Sequence, residues 1–159
     1  MPNKTDFEKW NQSIGTIISS MGSSQALSAM LDGIAGIVPI DSWYVGFYRR
    51  EAPPIEVEYS NPSENRETYV EGHYLLDPFY NAFIDGIKPG CYSLKELAPP
   101  DFKSGKYYND YYAPWGDSSE VAFILHIDDE TSTLVSMARA GRDAKFLTNE
   151  LRTLNQMSP

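Results

Sequence analysis

The sequence has little of the chemistry that most metal sites and thiol enzymes need. It contains one cysteine, Cys91, and two histidines, His73 and His126. A single cysteine excludes an internal disulfide and fits a reducing compartment. The spacing of these three residues matches neither a metal site nor a cysteine–histidine catalytic pair. We therefore predict no metal and no cofactor.

Basic residues are also few. Thirteen Lys and Arg stand against 22 Asp and Glu, which gives a formal net charge of −9. The basic residues are scattered, and no run is longer than Arg49-Arg50. Nucleic-acid binding requires clustered Lys and Arg to neutralise phosphates, and an anionic membrane surface makes the same demand. The composition argues against both partners for this chain.

Long hydrophobic runs and familiar catalytic motifs are lacking as well. The longest nearly uncharged run, residues 21–40, is interrupted by Asp32, three glycines and Pro39. This pattern predicts neither a signal peptide nor a membrane span, and hence a cytoplasmic protein. No phosphate-cradling glycine loop, HExxH or GxSxG motif is present. The acidic run 128–130 lacks the alternating ligands of a calcium loop.

What the sequence does have is aromatic and apolar residues. It is 159 residues long, 42% hydrophobic and 13% aromatic, with eleven tyrosines. This length predicts one domain, spanning residues 1–159. Tyrosine has a large apolar body and one polar tip, so several of these residues can line a pocket or an interface. Most of them are expected to be ordinary half-buried tyrosines.

Hydrophobic spacing predicts two helices within residues 5–38 that cover the core. Thr5 and Glu8 have capping-box spacing at the start of the first helix. The pattern predicts that Ser23 and Ser24 cap the second helix and that Pro39 closes it.

Alternating patterns then predict a sheet and a pocket within residues 41–140. Residues 42–49 are apolar on both faces, which is typical of an inner strand. One face carries Tyr44 and Tyr48 with Gly46 between them, and we interpret it as a candidate pocket floor. Residues 55–59 predict a half-exposed strand.

The remaining elements complete an α+β architecture. Residues 91–94 predict a short extended piece, and residues 121–127 and 132–139 predict a hairpin. A helix carrying two tyrosine pairs is expected before the hairpin, and a C-terminal connector helix, capped by Thr148, over residues 148–157. The whole order predicts an α-β-α sandwich around a roughly five-stranded antiparallel sheet.

The chain is organised around Asp77-Pro78. Asp accepts hydrogen bonds from the first turn of a helix, and Pro suits its first position, so a helix is predicted from Pro78 to about Asp85. Phe79 and Phe83, four residues apart, would face inward. The Asp77 carboxylate then either caps the helix alone or also contacts a ligand with an N–H or ammonium donor.

Several neighbouring segments were candidates for a pocket around this carboxylate. The polar segment 61–67 is a candidate lid. Ser136 places one hydroxyl on an otherwise apolar strand face, where a backbone partner is the expected arrangement and a ligand the alternative.

An ordered set of residues resembles a known family. It comprises Tyr74-Leu75-Leu76-Asp77-Pro78-Phe79-Tyr80, Pro89-Gly90-Cys91-Tyr92, Leu97-Ala98-Pro99, Tyr107-Tyr108, Tyr111-Tyr112 and Glu120-Val121-Ala122-Phe123. Together they resemble the N-terminal ligand-sensing, autoinducer-binding domain of LuxR-type transcriptional regulators. The resemblance covers roughly residues 69–154. It implies a GAF/PAS-like sandwich whose sheet and helices enclose one small effector.

The resemblance also implies a role for particular residues. Asp77 would accept a hydrogen bond from the effector's N–H, and Tyr92 would close the pocket. The expected lining is completed by Tyr44, Tyr48, Phe79, Phe123 and Ser136. The upstream Trp and Tyr of the acyl-homoserine-lactone branch are replaced by Glu64, Asn65 and Thr68, which favours a different effector.

By the same resemblance, the partners are a small-molecule effector and a second copy in a homodimer. DNA would be reached only through a C-terminal helix-turn-helix domain that is not part of this chain, which is either a sensor cut from a longer protein or a stand-alone sensor. No catalytic role is predicted. The alternatives are a small enzyme that uses the same pocket, or a dimerisation module without a ligand.

Overall fold

A five-stranded antiparallel sheet in the order β2-β1-β5-β4-β3 forms the centre of the molecule. The computed structural model describes residues 4–60, 66–141 and 144–158. The strands are β1 Ser42–Arg49, β2 Ala52–Tyr59, β3 Gly90–Ser93, β4 Asp117–His126 and β5 Thr131–Ala140. All four pairings between neighbouring strands are antiparallel. Short hairpins join β1 to β2 and β4 to β5, which makes these two pairings antiparallel.

One face of the sheet is covered by three helices: α1 Lys4–Ser20, α2 Ala26–Ala35 and α6 Thr148–Met157. Their apolar faces meet the sheet residues Val45, Val121 and Met137 in one cluster, which also holds Leu154 of α6. Met137, Val121 and Leu154 have no measurable exposure. We call this cluster the helix-side core.

The opposite face carries shorter helices and most of the tyrosines. These helices are α3 Arg66–Glu71, α4 Pro78–Ile84, α5 Leu94–Leu97, the 3-10 turns His73–Leu76, Phe102–Ser104 and Ala113–Trp115, and a π-helix over Tyr107–Tyr112. They pack on Tyr48, Ile124 and Leu134 of the sheet in a second cluster, the tyrosine-side core. The two cores confirm the predicted α-β-α sandwich with a five-stranded antiparallel sheet.

Local predictions are confirmed around Asp77 and in β1. The helix α4 begins at Pro78 and ends before Gly86, whose φ of +79° reverses the chain. Phe79 and Phe83 are 1% and 2% exposed, as their spacing predicts. The strand β1 has the predicted bounds and places Tyr44 and Tyr48 in the tyrosine-side core.

Two predicted helix caps are wrong. The N-cap of α2 is Gln25, because Ser23 instead accepts the Gln25 N–H within a preceding turn, and the helix ends at Ala35, before Pro39. At α6 the N-cap is Leu147 and Thr148 is the first helical residue. The Leu147 N–H donates a hydrogen bond of 2.7 Å to the Glu150 carboxylate. This carboxylate therefore provides the acceptor for the backbone N–H at the start of the helix.

The predicted lid and the predicted tyrosine helix also differ from the structure. Residues 61–65 of the lid lie outside the described residues, and its last two positions begin α3. The tyrosine segment forms a π-helix, although both pairs make contact: the ring centroids are 5.3 Å apart for Tyr107 and Tyr111, and 5.8 Å for Tyr108 and Tyr112. Within the described ranges, no helix has the length and apolarity to cross a membrane.

An irregularity in β2 changes which residues face the tyrosine side. Val45 pairs with Glu58 but Gly46 pairs with Glu56, so Val57 is an extra residue in the ladder. This bulge puts Glu56 on the same face as Gly46, while Val57 is 47% exposed. The bulge therefore places a carboxylate beside the tyrosine-side core.

Candidate functional site

A cavity of about 90 Å³ lies between the tyrosine-bearing helices and the sheet, at the end where β1 begins and β2 ends. Its lining residues are Ser42, Trp43, Tyr44, Glu56, Tyr59, Tyr69, Asp77, Tyr107, Tyr111, Tyr112, Glu120, Leu134, Ser136 and Ala138. The cavity is partly open to solvent, and its lining residue Tyr59 is 38% exposed.

Asp77 is buried at the cavity and its carboxylate accepts bonds from three elements. Oδ1 accepts the Phe79 N–H at 2.8 Å, which is the N-cap bond of α4. Oδ2 accepts the hydroxyls of Tyr48 at 2.8 Å and Tyr69 at 2.5 Å. Both alternatives raised by the sequence thus stay open: Asp77 caps the helix, and it also lines the cavity.

The protonation of this network follows from burial. Desolvation raises the pKa of Asp77, and the hydrogen bonds from Tyr69, Phe79 and Tyr48 oppose that shift. Desolvation and the nearby Asp77 charge raise the pKa of both tyrosines well above the usual value. The tyrosines therefore keep their protons and act as donors that tie β1 and α3 to the start of α4.

The space above Gly46 is filled by the protein itself. A Cβ at this position would lie 2.6 Å from the hydroxyl oxygen of Tyr44 and 3.0 Å from the carbonyl oxygen of Ile55. The Tyr44 ring thus folds over Gly46 and forms part of the cavity wall. The space that the sequence predicts above Gly46 is therefore occupied by the ring of Tyr44, a residue of the same strand.

Ser136 lines the cavity on β5, and its partner is a carboxylate. Its hydroxyl donates to Oε1 of Glu120 on β4 in a very short hydrogen bond. The register, which opposes Ala122 to Ser136 and Glu120 to Ala138, makes the two residues diagonal neighbours on one face. The expected backbone partner of Ser136 is therefore corrected to the side chain of Glu120.

The remaining wall is aromatic. The ring of Tyr111 stacks on the ring of Tyr69, with centroids 5.3 Å apart, and on the ring of His73, with centroids 5.5 Å apart. Tyr44 meets the edge of the Tyr69 ring at 6.0 Å. Such offset and edge-to-face contacts fix the rings with respect to one another.

Four predicted site residues do not line this cavity. Tyr48 is fully buried in the tyrosine-side core, where its hydroxyl donates to Asp77. Phe123 lies on the opposite face of the sheet, in the helix-side core, because odd-numbered residues of β4 alternate away from the tyrosines. Tyr92 lies on the edge strand β3, where its hydroxyl donates to the Lys88 carbonyl at 2.9 Å. Phe79 packs inside the tyrosine-side core and reaches the site only through its N–H. Tyr44, Asp77 and Ser136 are the predicted site residues that do line the cavity.

The structure adds residues that the sequence reading missed, chiefly Glu56, Glu120, Tyr69 and Tyr111. Glu56 alternates with apolar neighbours as a solvent-facing residue does, and only the bulge turns it inward. Glu120 stands at the start of an apolar strand and looks like a strand-end charge. Tyr69 is the first residue of the range 69–154 that carries the family resemblance, and this position is the one signal that the sequence offers for it.

The charged groups of the described cavity lining are all acidic. Glu56, Asp77 and Glu120 belong to three different elements, and none of the described lining residues is Lys, Arg or His. Their charges act together with burial to raise the pKa of Tyr111 far above its usual value. No group of three or more His, Cys, Asp or Glu side chains suited to a metal ion is found among the described residues.

The cysteine and the histidines are not assembled for catalysis. Cys91 is buried in the helix-side core, and desolvation raises the pKa of its thiol to about 12. His73 bonds the Thr68 carbonyl at 2.9 Å on the other side of the sheet. His126 is exposed and packs near the edge of Phe83. A protonated, buried thiol without a neighbouring base is a poor nucleophile.

Sequence comparison finds no matching family model and no matching curated protein. Structural comparison finds clear similarities. The ligand-binding domain of VqsR from Pseudomonas aeruginosa superposes with a TM-score of 0.82 at 21% identity, covering 93% of this chain and 88% of that chain. CepR2 from Burkholderia cenocepacia, an N-acylhomoserine-lactone-dependent LuxR-family transcription factor, gives 0.71 at 14% identity, covering 97% and 88%.

A third similar structure is SdiA. The Escherichia coli crystal structure gives a TM-score of 0.55 at 16% identity, covering 95% of this chain and 63% of that chain. SdiA has also been solved in complex with octanoyl-rac-glycerol. At these low identities the matches establish the fold: the chain folds as the ligand-binding domains of LuxR-type proteins do.

Proposed function

We propose that this chain is a small-molecule-sensing regulatory domain of the LuxR type and that its effector binds in the cavity beside Asp77. The observation that carries this proposal is the cavity itself, enclosed by the sheet, the tyrosine helices and the start of α4. A concave site with an aromatic wall and a few convergent polar groups is the usual form of a small-molecule site. The fold match adds support, because the VqsR structure is that of a ligand-binding domain, CepR2 is a LuxR-family transcription factor, and SdiA has been solved with octanoyl-rac-glycerol bound.

The size of the cavity favours a small effector. Pockets for drug-sized ligands measure roughly 300–1,000 Å³, whereas this one measures about 90 Å³. We infer that it takes a compact head group and that any longer tail leaves past Tyr59. A long acyl chain enclosed as a whole would require the rings of Tyr44 and Tyr111 to move.

Binding would signal by shifting a population of conformations. An effector can shift such an equilibrium only through a difference in its affinity for the two states. The wall of the cavity includes residues of β1, β4 and β5, whose other faces pack against α1, α2 and α6. We propose that these helices form the packing surface of a homodimer and transmit the change. A DNA-binding domain beyond residue 159 would be the output.

A small enzyme is the alternative from another class. It would need a base or nucleophile with a positioned partner at the cavity. The carboxylate of Asp77 is already occupied by three donors, and the thiol of Cys91 lies on the other side of the sheet. We therefore propose a binding role without chemistry. Turnover of a bound compound, followed by mass spectrometry, would overturn it.

Thermal shift against a defined panel tests the proposal. The panel is γ-butyrolactone, N-butanoyl-homoserine lactone, N-propylacetamide, octanoyl-rac-glycerol, n-butanol and n-butylamine. At least one compound should raise the melting temperature in a concentration-dependent way, because binding to the folded state alone stabilises it. If none does so up to its solubility limit, the sensing proposal fails and the dimerisation module becomes the better interpretation.

The role of Asp77 is tested by Asp77→Asn. Asn preserves an acceptor for the Phe79 N–H but removes the charge. If Asp77 anchors the effector, every compound that stabilises the parent should stabilise this variant less. An unchanged response to all of them would leave Asp77 as a helix cap and a partner of the two tyrosines.

Light scattering tests the dimer. The molar mass should be twice 17.9 kDa, or should change towards that value when a compound from the panel is added. A monomer under both conditions would contradict signalling through dimer packing.

A further inference from the structure

A groove of about 750 Å³, open to solvent, lies between α4, α5 and the 3-10 turn Phe102–Ser104. Its apolar lining includes Leu76, Pro78, Ala82, Ile87, Leu97 and Phe102. Leu76 is 47% exposed, so apolar area remains uncovered in the groove. Drug-sized ligands occupy pockets of about 300–1,000 Å³. The groove has a volume in this range, whereas the effector cavity measures about 90 Å³.

Tyr107 separates this groove from the effector cavity. Among the residues that the structure describes, Tyr107 alone lines both spaces. Its ring centroid lies 6.1 Å from that of Phe102, which lines the groove, and 5.3 Å from that of Tyr111, which lines the cavity. The Tyr107 residue is 8% exposed. One buried ring therefore stands between a small polar space and a large apolar one.

The hydroxyl end of Tyr107 lies on the cavity side. Desolvation raises the pKa of Tyr107 well above its usual value, and the nearby charges of Asp77 and Glu120 raise it further. Both of these carboxylates line the cavity. The hydroxyl therefore keeps its proton near the cavity wall, while the ring itself packs near Phe102 of the groove.

Resting on the function proposed above, we propose that Tyr107 limits the size of the effector, because its ring closes the cavity off from the groove. With this ring in place, a compact head group fills the cavity and the methylenes of a longer chain stay in solvent past Tyr59. Without the ring, the same chain would continue from the cavity into the apolar groove. Burial of its methylenes would then add to the affinity.

The test compares two esters with the same head group, butanoyl-rac-glycerol and octanoyl-rac-glycerol, which differ by four methylenes. Isothermal titration calorimetry measures both affinities, and the parent should bind the two esters within about threefold of each other, because the extra methylenes stay in solvent. Tyr107→Ala should raise the preference for the octanoyl ester at least about tenfold, since burial of two methylenes is sufficient for that factor. The inference is overturned if the parent already has a preference of about tenfold, or if Tyr107→Ala leaves the preference unchanged.

Matched variants separate the closing ring from general loosening of the core. Tyr108 belongs to the same π-helix and contacts Phe102 and Tyr112, but it lines neither space. Tyr108→Ala should keep the ester preference of the parent, and so should Tyr107→Phe, which retains the ring. An equal gain in Tyr108→Ala would attribute the effect to loosened packing and would overturn the inference.

Filling the groove tests where the chain goes. Ala82 of α4 is half-buried and lines the groove but not the cavity. In the Tyr107→Ala protein, the additional change Ala82→Phe should abolish the gain for the octanoyl ester, because the new ring occupies the apolar space. A gain that persists would show that the chain binds elsewhere, which contradicts the inference.

Circular dichroism establishes that the variants are folded. If Tyr107→Ala is not, Tyr107→Leu takes its place and should change the ester preference in the same direction, because leucine lacks the length of the tyrosine ring. If neither ester binds the parent or the folded variant, the inference is overturned, while the compact compounds of the panel still decide the sensing function. If those compounds also fail to bind, the sensing function fails as well.

Discussion

At the scale of single residues, Asp77 shows how one carboxylate serves two purposes. It caps α4 through the Phe79 N–H and accepts two buried tyrosine hydroxyls. Buried polar groups are costly when they lose their partners, so each member of this network depends on the others. The tyrosine hydroxyls lie 3.0 Å from each other and provide only a partial substitute.

Replacing Asp77 should therefore lower the free energy of unfolding, and the loss should be larger when the new side chain can accept fewer of the three hydrogen bonds. Asp77→Ala loses the cap and the acceptor of both hydroxyls, and should lower the free energy of unfolding by about 3 kcal/mol. Asp77→Asn retains the cap and should lose about 1 kcal/mol. Urea denaturation followed by circular dichroism measures both. Equal losses would mean that the cap retained by Asn contributes nothing measurable to stability.

Gly46 gives a second prediction at this scale. A Cβ there would meet the Tyr44 hydroxyl oxygen at 2.6 Å and the Ile55 carbonyl at 3.0 Å. The Tyr44 ring can move into the cavity, but the backbone of β2 cannot. Gly46→Ala should lower the free energy of unfolding by about 1–3 kcal/mol, as overpacking does, and should weaken any compound that binds the parent. Thermal unfolding and calorimetry measure the two effects, and an Ala variant as stable as the parent would contradict the packing.

At the scale of elements, α6 is attached to the sheet by an ion pair and an apolar side chain. Arg139 of β5 donates two bonds of 2.9 Å to the Glu150 carboxylate, whose side chain is 16% exposed. Glu150 also accepts the Leu147 N–H at the start of the helix. Burial would raise the pKa of Glu150, and the bonds from Arg139 and Leu147 more than offset this, so the pKa is lowered.

The lowered pKa makes this contact dependent on pH. The folded protein binds the Glu150 proton less tightly than the unfolded chain, so its stabilisation is present above about pH 4.3 and is lost as the pH falls through the folded-state value. Glu150→Gln should lower the free energy of unfolding by about 1 kcal/mol at pH 7, a modest cost because the pair is partly exposed to solvent. At about pH 2 it should cost nothing, because Glu150 is then protonated in the parent protein as well. Urea denaturation at the two pH values tests this. A cost that does not change with pH would exclude the ion pair as its source.

At the scale of the whole molecule, the sheet separates a helix-side core from a tyrosine-side core that contains the cavity. Leu154, Met137 and Val121 are fully buried on one side. Tyr48, Ile124 and Leu134 are buried on the other. The first core contributes chiefly stability, while the second also shapes the site.

This separation predicts that stability and binding can be changed independently. Leu154→Ala should lower the free energy of unfolding by about 2–5 kcal/mol through loss of buried area and a new cavity. The affinity of any panel compound that binds the parent, measured below the melting transition, should stay within about twofold of the parent value, because Leu154 does not line the cavity. A larger loss of affinity in the folded variant would show that Leu154 itself is part of the coupling that we propose between the cavity and the terminal helices.

The sequence alone determined the elements whose signals are local. The Asp77-Pro78 cap, the alternation of β1 and the spacing of Phe79 and Phe83 depend on neighbours within one turn or one strand, so their outcome was predictable. The antiparallel sandwich followed from the order of these elements. The acidic, tyrosine-rich composition is visible in the sequence. The sequence does not show which acidic side chains come together in the folded protein.

Tertiary structure alone decided the composition of the cavity. A one-residue bulge at Val57 turned Glu56 inward, and the register of β4 against β5 brought Glu120 to Ser136. The same alternation sent Phe123 to the opposite core. Since shifting a strand by one residue exchanges its faces, these assignments depend on pairings between distant segments, which the pattern within each strand does not contain.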